Sequence, residues 1–342
     1  MRYIIIGAGA VGGTIGGCLF QGGHDVVLVA RGPHLEALRA HGLRLATPAG
    51  TCQLGIPAAG GPAEAGLREG DVLILAVKGQ DTAAVLAQWA WQPAGAGTVV
   101  AETVPIVCAQ NGVANEGLAL RLFRQVYGMC VWLPATHLEP GTVESQGTPL
   151  AGMLPVGRYP SGTDPVIEQI GADLASSRFL APVSDDVMRW KYGKLLGNLG
   201  NSIEALCGRD ARLGDDGREL RDRTRAEALA VFAAAGIGYA SPDEVTAARG
   251  DQVRVSEVNG STRAGGSSWQ SLSRGTGTIE ADFLNGEIVL LGREHGVPTP
   301  VNATLQRLAN QAARGRNAPG STTPAEILSL AALPVRCGHR PR

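Results

Sequence analysis

Lys194, Asn198, Asn201 and Ser202 stand at i, i+4, i+7 and i+8, a spacing that puts an ammonium, two amides and a hydroxyl on one face of an α-helix. Leu195, Leu199, Ile203 and Leu206 then lie on another face and can enter a core. A polar stripe with no second charge suits a cleft in which a lysine donates a proton and amides hold an oxygen-rich ligand. A merely solvated helix face is the plainer alternative. Lysine is also scarce: it stands only at Lys78, Lys191 and Lys194 among 30 basic residues. A guanidinium keeps its proton above pH ~12, so arginine cannot serve where a proton must leave. The retained lysines are therefore candidates for chemistry, with chance retention as the alternative.

A second group of residues points to a bound dinucleotide. Gly7-Ala8-Gly9-Ala10-Val11-Gly12 follows the apolar run Tyr3 to Ile6, and Asp25 to Ala30 supplies a second strand. In such a loop Gly7 makes the tight turn, Gly9 lets backbone approach a pyrophosphate, and Gly12 packs helix on strand, with Ala10 and Val11 opening the helix that faces the anion. A glycine-rich turn that binds nothing is the competing reading. Where an NAD site usually carries an acid, the chain has Arg31, which can pair with the 2′-phosphate of NADP. Arg31 as a solvated loop charge is the alternative. Lys78 and Asn111 each follow an apolar strand, the edge at which ligands bind in open α/β sheets, although Asn111-Gly112 also suits an ordinary turn.

The elements needed to hold these residues divide the chain in two. Strands at Tyr3 to Ile6, Asp25 to Ala30, Asp71 to Val77, Val104 to Ala109 and Tyr127 to Leu133, followed by irregular strands from Thr136 to Tyr159, predict a doubly wound α/β domain over 1–184. From Asp185 the apolar spacing is helical. One helix is predicted through Leu206 and others over Gly217 to Ala235, Ile279 to His295 and Val301 to Ala313, giving an all-α domain over 185–342. Thr323-Pro324-Ala325-Glu326 opens a last helix with a capping box, and residues beyond Pro334 are expected to fray. The net charge of -1 argues against nucleic acid or an anionic membrane surface. Tyr3 to Gly23 is uncharged and long enough to imitate a signal peptide or membrane span, but its many glycines count against both. Six scattered cysteines without a Cys-x-x-Cys indicate neither a disulfide framework nor a metal site, which suits the cytoplasm.

In their order these features resemble the ketopantoate reductase family along nearly the whole chain: the glycine loop, a basic residue after the second strand, Val77-Lys78, Asn111-Gly112, the Lys194-x-x-x-Asn198 helix, Ser267-Ser268, and Ile279 to Gly286 with Glu280 near its start. The resemblance implies an N-terminal Rossmann-like domain, a C-terminal all-α domain and NADPH-dependent reduction of a 2-oxo acid, foremost 2-dehydropantoate. It implies that Lys194 is the general acid, Asn198 binds substrate, Ser268 holds its carboxylate, Glu280 contacts the new hydroxyl, Lys78 lies beside the nicotinamide ribose, and Asn111 touches cofactor and substrate. Lys191 matches no family position and reads as a surface charge. Ser202 stands among the substrate-binding residues where a second asparagine is usual, and Trp269-Gln270-Ser271-Leu272 replaces the commoner Met-Leu-Gln-Asp. The alternatives are a different 2-oxo acid, or a dinucleotide-sensing protein without turnover. The expected partners are a small-molecule 2-oxo acid and, in assembly, a second copy as a homodimer.

Overall fold

The structure, a computed structural model, describes residues 1–95, 97–260 and 265–333. It divides into two compact units. The first comprises Met1–Leu195 with the described part of Tyr239–Ala264, and the second Leu196–Gly238 with the described part of Gly265–Arg342. This division differs from a single boundary at 184. The later segment belongs with the first unit because Val253–Val255 pairs antiparallel with Gly147–Pro149, and Arg189 donates to both oxygens of Glu244, at 2.7 and 2.9 Å.

Seven strands form the sheet of the first unit: β1 (Arg2–Ile6), β2 (Asp25–Val29), β3 (Ala58–Ala59), β4 (Asp71–Leu75), β5 (Ile106–Cys108), β6 (Val126–Met129) and β7 (Val156–Arg158). Their order is β7-β6-β5-β4-β1-β2-β3, and only β7 runs antiparallel to its neighbour. Strand order reverses between β1 and β4, the switch point where ligands bind in doubly wound sheets. Both faces are covered, so the strands are apolar on both sides. Tyr3, Ile5, Leu28 and Ile74 enter one core; Ile4, Ile6, Val27 and Leu75 enter the other.

Helix α1 (Ala10–Gln21) explains the glycine-rich N-terminus. A Cβ on Gly16 would come within 2.7 Å of Leu28 and 3.0 Å of Ile5 of the main sheet; a Cβ on Gly17 would come within 2.9 Å of Leu45, and one on Gly13 within 2.7 Å of Val143. Leu45 and Val143 belong to a second, four-stranded sheet built from Ala135–Thr136, Thr142–Ser145, Leu43–Thr47 and Gly50–Leu54. The glycines thus let one helix lie close against two sheets at once. Among the described residues no helix is long and apolar enough to cross a membrane.

Further helices of this unit include α2 (Gly32–His41), α3 (Thr82–Ala90), α4 (Asn115–Leu120) and α5 (Pro165–Ser176). The single helix expected from Asp185 is two, α6 (Val187–Asn198) and α7 (Gly200–Cys207), interrupted at Leu199 between Gly197 and Gly200. Two glycines in one turn lower helix propensity there. Among its described residues the second unit carries only helices: α7, α8 (Asp215–Ala235), α9 (Ser267–Ser273), α10 (Asn285–Glu294), α11 (Pro300–Arg314), α12 (Pro324–Ala332) and two 3-10 turns. Ile203, Leu206, Leu220, Leu272, Leu305 and Ile327 form its core. The Thr323 hydroxyl accepts from the Glu326 N–H and the Glu326 carboxylate accepts from the Thr323 N–H, the reciprocal cap expected. The expected fraying beyond Pro334 lies outside the described residues.

Candidate functional site

The glycine loop fits a pyrophosphate on steric grounds. Gly7 has φ +100, and a Cβ there would sit 2.9 Å from Val77, while a Cβ on Gly12 would strike the Gly7 carbonyl at 2.1 Å. Around Gly9, in contrast, a Cβ would meet nothing closer than His137 at 4.0 Å, so backbone there is open to a ligand. Helix α1 begins at Ala10 with no side-chain cap, which leaves the N–H groups of its first turn, at Ala10, Val11 and Gly12, for an anion. A residue that sequence spacing did not reveal steadies this loop. His34 Nδ1 accepts from the Gly141 N–H at 2.8 Å, so Nε2 carries the proton and donates to the Ala8 carbonyl at 2.8 Å. Burial holds the His34 ring below its ordinary pKa. Arg31 follows β2 as an exposed side chain at the start of α2.

Lys78 and Asn111 emerge from the carboxyl ends of β4 and β5. A buried network ties their loops together. Gln110 Nε2 donates to the Val77 carbonyl at 2.9 Å and to the Thr82 hydroxyl at 2.8 Å. Thr82 in turn donates to Asn115 Oδ1 at 2.8 Å, and Asn115 Nδ2 reaches the Asn111 carbonyl at 3.0 Å. Thr82, Gln110 and Asn115 carried no motif, since their pairing depends on strands brought together by the sheet. Across from this loop α6 presents Lys194, whose ammonium donates to Asn111 Oδ1 at 2.6 Å and to the Val131 carbonyl. Two residues singled out separately, a lysine on a helix and an asparagine after a strand, thus meet. Lys191 is not the surface charge expected: its side chain is 2% exposed and pairs with Glu116 of α4, itself 0% exposed. Helical spacing could not show this, because Glu116 lies 75 residues away.

In the second unit Asn198 is half-buried near the end of α6, one helical turn beyond Lys194. Ser202 lies in the core. Its hydroxyl donates to Asn285 Oδ1 at 2.6 Å, so it is already engaged inside the unit. Asn201 follows the break at Leu199 and comes close to Gly266, where a Cβ would be 3.3 Å from its Oδ1. The Gly266 N–H donates to Glu204 at 3.3 Å. Gly266 opens α9, and behind it Ser268 is 1% exposed with an Oγ that has no hydrogen-bond partner among the described residues. The Trp269 indole lies on Gly265, whose Cβ would sit 2.8 Å from the ring at φ +146. Glu280 is 6% exposed and belongs to a 3-10 turn, Glu280–Phe283, not to one long helix from Ile279; Leu284, at φ -117 and ψ -90, separates that turn from α10.

Comparison with known proteins follows the same two parts. The family model described as ketopantoate reductase PanE/ApbA matches residues 3–159, and its C-terminal counterpart matches residues 186–313. A 2-dehydropantoate 2-reductase of Archaeoglobus fulgidus is 30% identical over 316 residues, covering 90% of this chain and 96% of the relative. One from Pyrococcus horikoshii is 28% identical over 313 residues, covering 90% and 96%. The crystal structure of a PanE/ApbA family ketopantoate reductase from Ralstonia eutropha superposes with a TM-score of 0.75 at 28% identity, over 92% of this chain and 99% of the other. D-mandelate dehydrogenase with NADH and anilino(oxo)acetate shares the fold, with a TM-score of 0.77 at 20% identity, covering 93% and 100%. The two family models between them match most of the chain, and with the glycine loop and the Lys194–Asn111 contact in place, this chain belongs to the ketopantoate reductase family of oxidoreductases.

Proposed function

We propose that this chain is an NADPH-dependent reductase of a 2-oxo acid, with 2-dehydropantoate as the leading substrate and pantoate, a precursor of pantothenate, as product. The observation that carries this reading is the Lys194 ammonium held on Asn111 Oδ1 at 2.6 Å beside the carboxyl end of β5. In this reading Gly7, Gly9, Ala10, Val11 and Gly12 hold the pyrophosphate, Arg31 pairs with the 2′-phosphate, Lys78 lies beside the nicotinamide ribose, and Asn111 touches both cofactor and substrate. Bound there, the nicotinamide supplies a hydride to C2 of the substrate.

The chain's own work is on the oxygen. As the carbonyl π electrons move onto it, Lys194 releases a proton to the developing alkoxide and becomes a neutral amine that solvent reprotonates. Ser268 Oγ, buried and without a protein partner among the described residues, is free to donate to the substrate carboxylate. Asn198 holds the substrate, and Glu280 accepts from the hydroxyl being made. Ser202 contributes through Asn285 instead of by direct contact. A cytoplasmic homodimer is the proposed form; a ketopantoate reductase from Staphylococcus aureus is described as dimeric.

The same chemistry on a different 2-oxo acid is favoured by one observation: the Ser202 hydroxyl is given to Asn285, so it does not replace the amide usual at that position. The deciding assay is NADPH and NADH oxidation, side by side, across a panel of 2-oxo acids. Fastest NADPH oxidation with 2-dehydropantoate supports the leading reading. A preference of more than about tenfold for another 2-oxo acid replaces the substrate, and no turnover with any of them leaves the sensing alternative.

A further inference from the structure

No step of the proposed chemistry uses Lys191 or Glu116, yet their ion pair is among the most buried in the molecule, at 2% and 0% exposure of the side chains. The pair joins α6 to α4. Each of these elements is tied to a residue of the proposed site. Lys194 follows Lys191 by three positions on α6, so the two project from neighbouring places on the helix. On the other side Asn115, next to Glu116, donates to the Asn111 carbonyl at 3.0 Å. Gly128 of β6 lets Val187 at the start of α6 pack close to the sheet, since a Cβ there would stand 2.9 Å from Val187 Cγ1, and it leaves Glu116 Oε1 at ordinary contact distance, 3.5 Å.

The surroundings are apolar enough to push the buried Cys130 thiol up to about 12. Burial likewise raises the Glu116 carboxyl above its ordinary range, against the pull of the Lys191 ammonium. Glu116 Oε2 has no hydrogen-bond partner among the described residues, so Lys191 is the main compensation for the carboxylate. A pair buried in this way adds little net stability over two apolar side chains, because desolvation offsets the attraction. What it supplies is one fixed geometry.

We propose that the Lys191–Glu116 pair is a positioning device for the proton donor: it clamps α6 to α4 so that Lys194 Nζ meets Asn111 Oδ1 and the Val131 carbonyl. The inference rests on Lys194 being that donor. Without the clamp α6 can turn or slide, and a displacement of about 1 Å at a reacting group costs on the order of 10²-fold in rate.

Two variants test it, assayed with NADPH and 2-dehydropantoate alongside thermal melts. Lys191→Met/Glu116→Leu removes both charges at once and leaves none buried alone, so it should fold. Glu116→Asp keeps both charges but draws the carboxylate back by one methylene. Both should lower kcat by about 10- to 100-fold with the KM for NADPH within about twofold of wild type. Lys194→Met should cost clearly less in the double-variant background than in wild type, because the donor is already misplaced there. A wild-type kcat in the double variant, or an equal cost of Lys194→Met in both backgrounds, overturns the proposal. If the double variant does not fold, Glu116→Asp decides alone, and a wild-type kcat there overturns it. Wild-type turnover by Lys194→Met in the parent chain removes the donor reading itself, and the positioning role with it.

Discussion

Asn285→Ala probes how the helical unit holds the turn that carries Glu280. Asn285 is the first residue of α10, one residue beyond that turn's end cap, and it is 0% exposed. Its side chain accepts from the Ser202 hydroxyl at 2.6 Å and donates to Asn302 Oδ1 at 3.0 Å and to the Leu199 carbonyl at 3.3 Å. Asn302 continues the network, donating to the Thr224 carbonyl at 3.0 Å and to Glu227 at 2.8 Å, while Glu227 also caps α11 by accepting from the Val301 and Asn302 N–H groups at 2.8 and 2.9 Å. Alanine leaves the Ser202 hydroxyl and Asn302 Oδ1 without their Asn285 partner. Each buried polar group so orphaned costs about 1–3 kcal/mol, and the 3.3 Å bond adds little. The expected loss is therefore about 2–6 kcal/mol, against a total stability of about 5–15 kcal/mol for a typical protein. In a thermal melt followed by circular dichroism this is a fall in Tm on the order of 10 °C. Adding Ser202→Ala should recover about 1 kcal/mol, since it deletes one of the orphaned groups. The KM for the 2-oxo acid should rise while that for NADPH holds. A Tm within about 2 °C of wild type would refute the reasoning, because it would mean that the network contributes no net stability.

Arg31→Ala should raise the KM for NADPH by the loss of a charge-assisted hydrogen bond, about 1.5–3 kcal/mol, and leave NADH kinetics unchanged; equal losses with both cofactors count against a 2′-phosphate partner. Lys194→Arg retains charge but releases its proton too reluctantly, so kcat should fall by roughly 10²–10⁴-fold with NADPH still bound by fluorescence titration, and a near-wild-type kcat would exclude the role. Glu287 of α10, 8% exposed, is pushed up to about 7 from an ordinary 4.5 by burial and then by Glu294. Because the folded value is the higher one, the unfolded chain loses its proton first, and stability is fullest below 4.5 and declines as the pH rises through about 7. The decline amounts to about 3 kcal/mol, and Glu287→Gln should flatten it in urea titrations at about pH 5 and about pH 8; an unchanged slope would show that Glu287 is not its source.

Features set by residues a few positions apart were legible along the chain. The strand, turn and helix of the glycine loop follow from apolar β-branched residues and from glycines with separate steric duties. The cap at Thr323 needs only Glu326 three residues on. The scarcity of lysine singled out Lys194, and the structure brings its ammonium to Asn111. Helical periodicity located α8 and α11 to within a few residues, because one face of each must enter a common core, while α9 carried no such signal.

Contacts between distant segments decided the rest. Lys191 is buried because α4 brings Glu116 to it, and nothing near either residue in the chain signals the other. The helical stripe of Lys194, Asn198, Asn201 and Ser202 is interrupted at Leu199; Asn201 then approaches Gly266, and Ser202 turns to Asn285, 83 residues later. Glu280 stands on a 3-10 turn and not a helix, for the residues that follow are held by the side chains of α7 and α11. Periodicity reports which face of a segment is apolar. Which buried polar group finds a partner depends on what the fold places opposite it, since in an apolar interior an unpaired group costs more than a local helical preference can return.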